Sequence, residues 1–140
     1  MLIDTAALGS SLPALFQNKA TLRQVFYSKL LEQAPNLEAH FLQNDVRQTE
    51  MFEKFIGDMM RSVVGGQSTR AFADKFAQSH RGLKLTTPEL ATAKHAFHQA
   101  ILAALCADDA GQAKVEATWL PFLDQVFHDF EQALIFRQTS

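Results

Sequence analysis

The sequence predicts an all-α protein, and three observations carry that prediction. Apolar residues recur at spacings of three and four through nearly the whole chain, the period of a helix buried on one face. The breaks between these runs fall at residues that stop or start helices: Pro35, Gly65 with Gly66, Pro88, and the polar stretch 106–112. Strand-type alternation bounded by turns is absent from the sequence, as are internal repeats and low-complexity tracts.

Taken in order, residues 21–35 (TLRQVFYSKLLEQAP) place Leu22, Val25, Phe26, Lys29 and Leu30 at helical spacing. Thr21 is the expected N-cap, and Pro35 turns the chain. The piece NLEAHF reads as a short turn or 3₁₀ segment. A long amphipathic helix follows over DVRQTEMFEKFIGDMMRSVV, with Phe52, Phe55, Ile56, Met59, Met60 and Val63 in one stripe. In STRAFADKFAQSH, Phe72, Phe76 and His80 succeed one another at intervals of four and share a face. TTPEL starts the next helix, with Thr87 as N-cap and Pro88 in the first helical position. The last helix is expected over roughly 114–136, with Pro121 kinking its first turns. About six or seven helices result.

Bulk properties narrow the functional class. A chain of 140 residues with 47% hydrophobic content supports one domain, 1–140, with a real core. A net charge of -2 leaves no electrostatic footprint for nucleic acid, and no polybasic run suits a membrane surface. Cys106 is the only cysteine, so neither an internal disulfide nor a thiolate metal cluster can form. The first residues lack a charged leader with a long apolar core, and no window has the length and apolarity of a membrane span. A soluble, cytoplasmic protein is the expectation. The 12 Phe against one Tyr and one Trp imply either extensive ring-on-ring packing or the enclosure of something large and apolar.

Most polar residues have ordinary explanations. His95 and His98, three apart, lack the carboxylate of a metalloprotease motif and read as surface or groove residues. His128, beside Asp129 and near Glu131, reads as part of a solvated face. No phosphate-binding loop or nucleophile triad can be picked out. His80 stands apart because it shares an apolar face with Phe72 and Phe76, where an unpaired imidazole costs about 1–3 kcal/mol. Either a backbone carbonyl satisfies it or its nitrogen binds iron.

Three separated segments bear on that choice. FYSKLLEQAPNLEAHF, from Phe26 to Phe41, combines an aromatic pair, a proline turn and a closing Phe. FAQSHRGLKLTTPELATA sets Phe76 four residues before His80, then a short linker with Leu85 and a new helix start. ATWLPFLDQVF carries the lone Trp in the last helix. On these segments the sequence resembles the globins, and the resemblance extends over nearly the whole chain. It is most similar to single-domain bacterial haemoglobins and the globin domain of flavohaemoglobins.

The resemblance implies a globin fold of six to eight helices around a haem pocket. His80 takes the place of the iron ligand, Phe41 that of the Phe on the haem face, and Phe52, Phe76, Leu85 and Leu90 those of the apolar wall. Tyr27 takes the place of a hydrogen-bond donor to a bound gas. Gln48 joins it if the distal register follows the bacterial spacing; a one-turn shift would instead put Phe52 and Phe55 over the haem. His40 could reach a haem propionate or be a solvated turn residue. Two positions depart from the family: Leu90 and Leu134 stand where a Tyr and a Glu would hold the proximal His. The implied ligands are O₂, NO and CO. The implied function is oxygen binding or transport, with NO dioxygenase chemistry dependent on a separate reductase. The alternative is a haem-based gas sensor acting through a partner protein. The oligomeric state stays open.

Overall fold

The boundaries of the helices follow from a few polar side chains. The computed structural model describes residues 3–36, 45–65, 69–79, 86–105 and 108–139. Asp4 opens α1 (Thr5–Gln17), its carboxylate accepting from the Ala7 N–H at 3.0 Å. Asn18 closes α1: its backbone N–H and its side-chain amide both donate to the Ala14 carbonyl. The same residue begins α2 (Lys19–Gln33), its carbonyl accepting from Leu22 N–H. Thr21, the expected cap, therefore lies inside a helix that starts earlier. Two helices share one junction residue, so no gap is left for a separate cap.

Beyond Pro35 and Asn36, which form a 3₁₀ turn, come α3 (Asp45–Val64) and α4 (Thr69–Ser79). Helix α5 (Thr87–Ala104) opens one residue before the expected position, because Thr86 rather than Thr87 is the cap. Thr86 Oγ1 accepts from Glu89 N–H, and the Glu89 carboxylate accepts from Thr86 N–H at 2.9 Å. Only Thr86 has a Glu three residues on, so only Thr86 can close this reciprocal pair. Helix α6 (Asp109–Thr139) also begins earlier than expected: Asp108 Oδ1 accepts from Gly111 N–H at 2.7 Å and starts it. It continues as α-helix through the buried Pro121. All six elements are helices, and no strand occurs among the described residues.

The main packing is between elements distant in sequence: α2 lies along α5, α4 along α6, and α5 also packs on α6. The core gathers Leu8, Leu12 and Leu15 of α1 with Phe52, Ile56 and Met59 of α3, Phe97 and Ile101 of α5, and Trp119, Leu123 and Phe130 of α6. Fully burying each such side chain contributes about 1.5–3 kcal/mol. Through it runs a path of touching rings. Phe26 meets Phe52 at 6.0 Å and Phe97 at 5.7 Å, Phe55 meets Phe72 at 5.3 Å, and Phe72 meets Phe130 at 5.7 Å. For these described rings, direct aromatic packing accounts for much of the Phe excess.

Helix α6 also collects polar ties from three others. Trp119 Nε1 donates to Ser11 Oγ of α1 at 3.2 Å, and Thr69 Oγ1 of α4 donates to Asp129 at 2.6 Å. From α5, Lys94 Nζ reaches Asp124 at 2.9 Å and Thr87 Oγ1 reaches Glu131 at 3.0 Å. No described helix is long and apolar enough to cross a membrane.

Candidate functional site

Three of the candidate residues are described with their side chains: Tyr27, Phe52 and Leu90. Phe41, His80 and Leu85 lie outside the described residues, as do His40 and Cys106. Gln48 and Phe76 belong to α3 and α4, but their side chains lie outside the described set.

Tyr27 and Phe52 come together. On α2, Leu22 and Leu30 are buried, and Phe26 touches Phe97 of α5. The next residue, Tyr27, points toward α3, where its ring lies 5.9 Å from that of Phe52. It also sits edge-on to Phe26 at 5.1 Å. Phe52 is 5% exposed and Tyr27 half-buried. Burial pushes the Tyr27 phenol above its ordinary 10.0, against a smaller opposing pull from the Arg23 cation one turn back. The hydroxyl therefore stays protonated at neutral pH and can donate. Outside this pair is a shallow cleft whose floor is Phe52 and whose rim carries Lys19, Arg23, Thr49 and Glu53. Lys19 and Glu53 pair across it at 3.2 Å.

Leu90 belongs to a different place. It packs with Ala133 and Leu134 in a small, separate cluster, at 6% and 4% exposure for the two leucines. The two positions that depart from the globin pattern thus share one small apolar cluster between α5 and α6.

Of the other histidines, His95 and His128 are exposed. His98 is not a plain surface residue. Its side chain is 13% exposed, and its buried Nε2 stands 3.5 Å from Glu116 Oε1, too far for a good hydrogen bond. Burial lowers its pKa below the ordinary 6.5, Glu116 pulls it back up, and nearby His95 lowers it further. Glu116 Oε1 already accepts from Gln112 Nε2 at 2.8 Å.

One residue escaped the sequence reading. Asp129 was grouped with His128 on a solvated face, yet it is 7% exposed and, with Ser62, one of two buried polar side chains among the described residues. The signal was present: Phe122, Val126, Asp129 and Ala133 follow one another at helical spacing on the buried face of α6.

The chain was compared with family models, with curated proteins and with solved structures. It matches none of them. The site has to be read from its own geometry. A protonated phenol on a half-buried ring can donate a single hydrogen bond to a small polar or polarisable ligand. Among the described residues, no three His, Cys, Asp or Glu side chains converge as a metal-binding group.

Proposed function

We propose that this chain is a haem-binding globin, one domain over 1–140, that reversibly binds O₂ and the related gases NO and CO. The observation that carries the reading is the Tyr27–Phe52 pair, a half-buried phenol held protonated with its ring 5.9 Å from a buried ring of the next helix. The helix pairing supports the globin fold. That fold packs helices pairwise at steep angles around a haem pocket, and here α2 pairs with α5 and α4 with α6.

The described residues fit a flat apolar group. Phe52 and Leu90 are both buried, in separate apolar clusters, and would contribute apolar surface to such a group. His80 would ligate the iron, Phe41, Phe52, Phe76, Leu85 and Leu90 would wall the group, and Tyr27 with Gln48 would face the gas. When bound, the haem supplies an iron with an open position for a diatomic ligand.

The chain's own residues do the rest. The Tyr27 hydroxyl, held protonated, would donate a hydrogen bond to a bound gas. Bonds of this charge-assisted kind contribute about 1.5–3 kcal/mol, on the order of ten- to a hundredfold slower release. Phe52 keeps water from competing for the same hydroxyl. Neither Leu90 nor Leu134 offers an acceptor, so an imidazole beside them gains no extra basicity from a carboxylate. The combination suits holding a gas rather than splitting one. It suits storage of O₂, or removal of NO with electrons from a separate reductase.

Reconstitution with haem tests the reading: a Soret band that His80→Ala abolishes is expected, and its absence in the wild type would refute it. In the reconstituted protein, Tyr27→Phe is expected to speed O₂ release on the order of ten- to a hundredfold, and an unchanged rate would remove Tyr27 from the mechanism.

A further inference from the structure

We infer that Asp129 is a positioning residue, a polar stop on α6 that sets the register of α4 and through it the place of the proposed iron ligand. This rests on the haem reading above and adds to it the device that aims the ligand. The starting point is a cost without an obvious return. A carboxylate that is 7% exposed has lost most of its water, and the neighbouring rings are apolar: Phe130 contacts Phe72 at 5.7 Å and Phe127 at 5.1 Å. Its two oxygens are used separately. Gln125 Nε2, one turn earlier on α6, donates to Oδ1 at 3.2 Å and orients the group. Thr69 Oγ1 donates to Oδ2 at 2.6 Å, and Thr69 is the first residue of α4.

Among the described side chains, the α4–α6 contact also includes the Phe72–Phe130 ring pair, and the small, fully buried Ala73 belongs to the same apolar core. Apolar contact is non-directional, so such a face tolerates sliding and rotation. A single short hydrogen bond at one end does not. It fixes both the height of α4 along α6 and its rotation about its own axis. The Lys75–Asp58 pair toward α3, at 3.8 Å, is a much looser tie. Helix α4 runs ten residues beyond Thr69 to Ser79, about 15 Å of helical rise, and His80 is the next residue in the sequence. A helix of that length moves as a rod, so an error at Thr69 reappears at its far end.

The test compares Thr69→Val, which removes the donor, with Thr69→Ser, which keeps it, in haem-reconstituted protein. Haem loss to an excess of apomyoglobin is measured, together with the iron–histidine stretching band by resonance Raman. Amide exchange of α4 is followed in the haem-free protein. Thr69→Val is expected to lose haem about tenfold faster, broaden or shift the stretching band and speed exchange along α4, while Thr69→Ser stays within about twofold of wild type. Asp129→Asn, which keeps the shape but removes the charge, should fall between them. Asp4→Ala, which loses the distant α1 cap, is the control for stability alone. If it releases haem as fast as Thr69→Val at equal stability, the tie is merely structural and the proposal falls. Wild-type haem loss and an unshifted band in Thr69→Val would also overturn it while leaving the globin reading intact. A wild-type protein with no Soret band would overturn both.

Discussion

Helix α6 holds its neighbours in two different ways at points five residues apart. At Asp129 it reaches α4 through a short, directional hydrogen bond to Thr69. At Leu134 it meets α5 through a dry contact with Leu90 and Ala133, without a polar atom from the two leucines. The dry seam supplies adhesion, since its energy scales with buried area and is indifferent to small shifts. The polar tie supplies register, since its energy depends on distance and angle. The proposed iron ligand follows the helix that receives register, whereas the helix that receives only adhesion at this point has its own ties in Lys94–Asp124 and Thr87–Glu131.

That contrast can be broken in graded steps. Truncating the dry seam should cost most: Leu134→Ala is expected to lose about 2–5 kcal/mol in urea unfolding with an unchanged m-value. Leu90→Ala with Leu134→Ala should cost less than the sum of the two, because the side chains share one cluster. Asp129→Ala should cost about 1–3 kcal/mol, because it removes the partner of the half-buried Thr69 hydroxyl. A loss larger than that of Leu134→Ala would reverse the assignment of adhesion and register. Thr86→Ala, away from both contacts on α6, should cost about 1 kcal/mol through the lost capping box of α5.

The smallest effect concerns pH. The folded-state pKa of His98 lies below 6.5, so the unfolded chain binds more protons as pH falls. Stability from this group is complete above about pH 6.5, declines as pH drops toward the folded value, and then levels off. His98→Gln should flatten that acid limb in urea titrations, and an unchanged limb would assign it to other groups.

The helices themselves were legible because their period is strong. The stripe from Phe52 to Val63 is buried or half-buried as its spacing requires. Helix α1 was not legible: Gly9 and Pro13 interrupt it, and its Leu8, Leu12 and Leu15 stripe is short. The helix starts slipped by one to three residues: α2 begins directly at the junction residue Asn18, ahead of Thr21, and at α5 Thr86, not Thr87, has the Glu89 partner. Tyr27 and Phe52 were found as candidates, but their contact depends on how α2 crosses α3, which no local pattern encodes. Asp129 was missed because its charge was given more weight than its position on the helix face. His98 was missed for the related reason that its burial comes from α6, distant in sequence.

The ties that converge on α6 have a consequence for how the chain is made. Ser11, Thr69, Thr87 and Lys94 all find their partners in the last helix. During synthesis the first five helices are complete before any of those partners exists. At ordinary translation rates the 31 residues of α6 take roughly 2–6 s to add. Until then the surfaces of α1, α4 and α5 that pack on α6 stay open, while α2 already has α5 to pair with. The four ties therefore form only after α6 has been made.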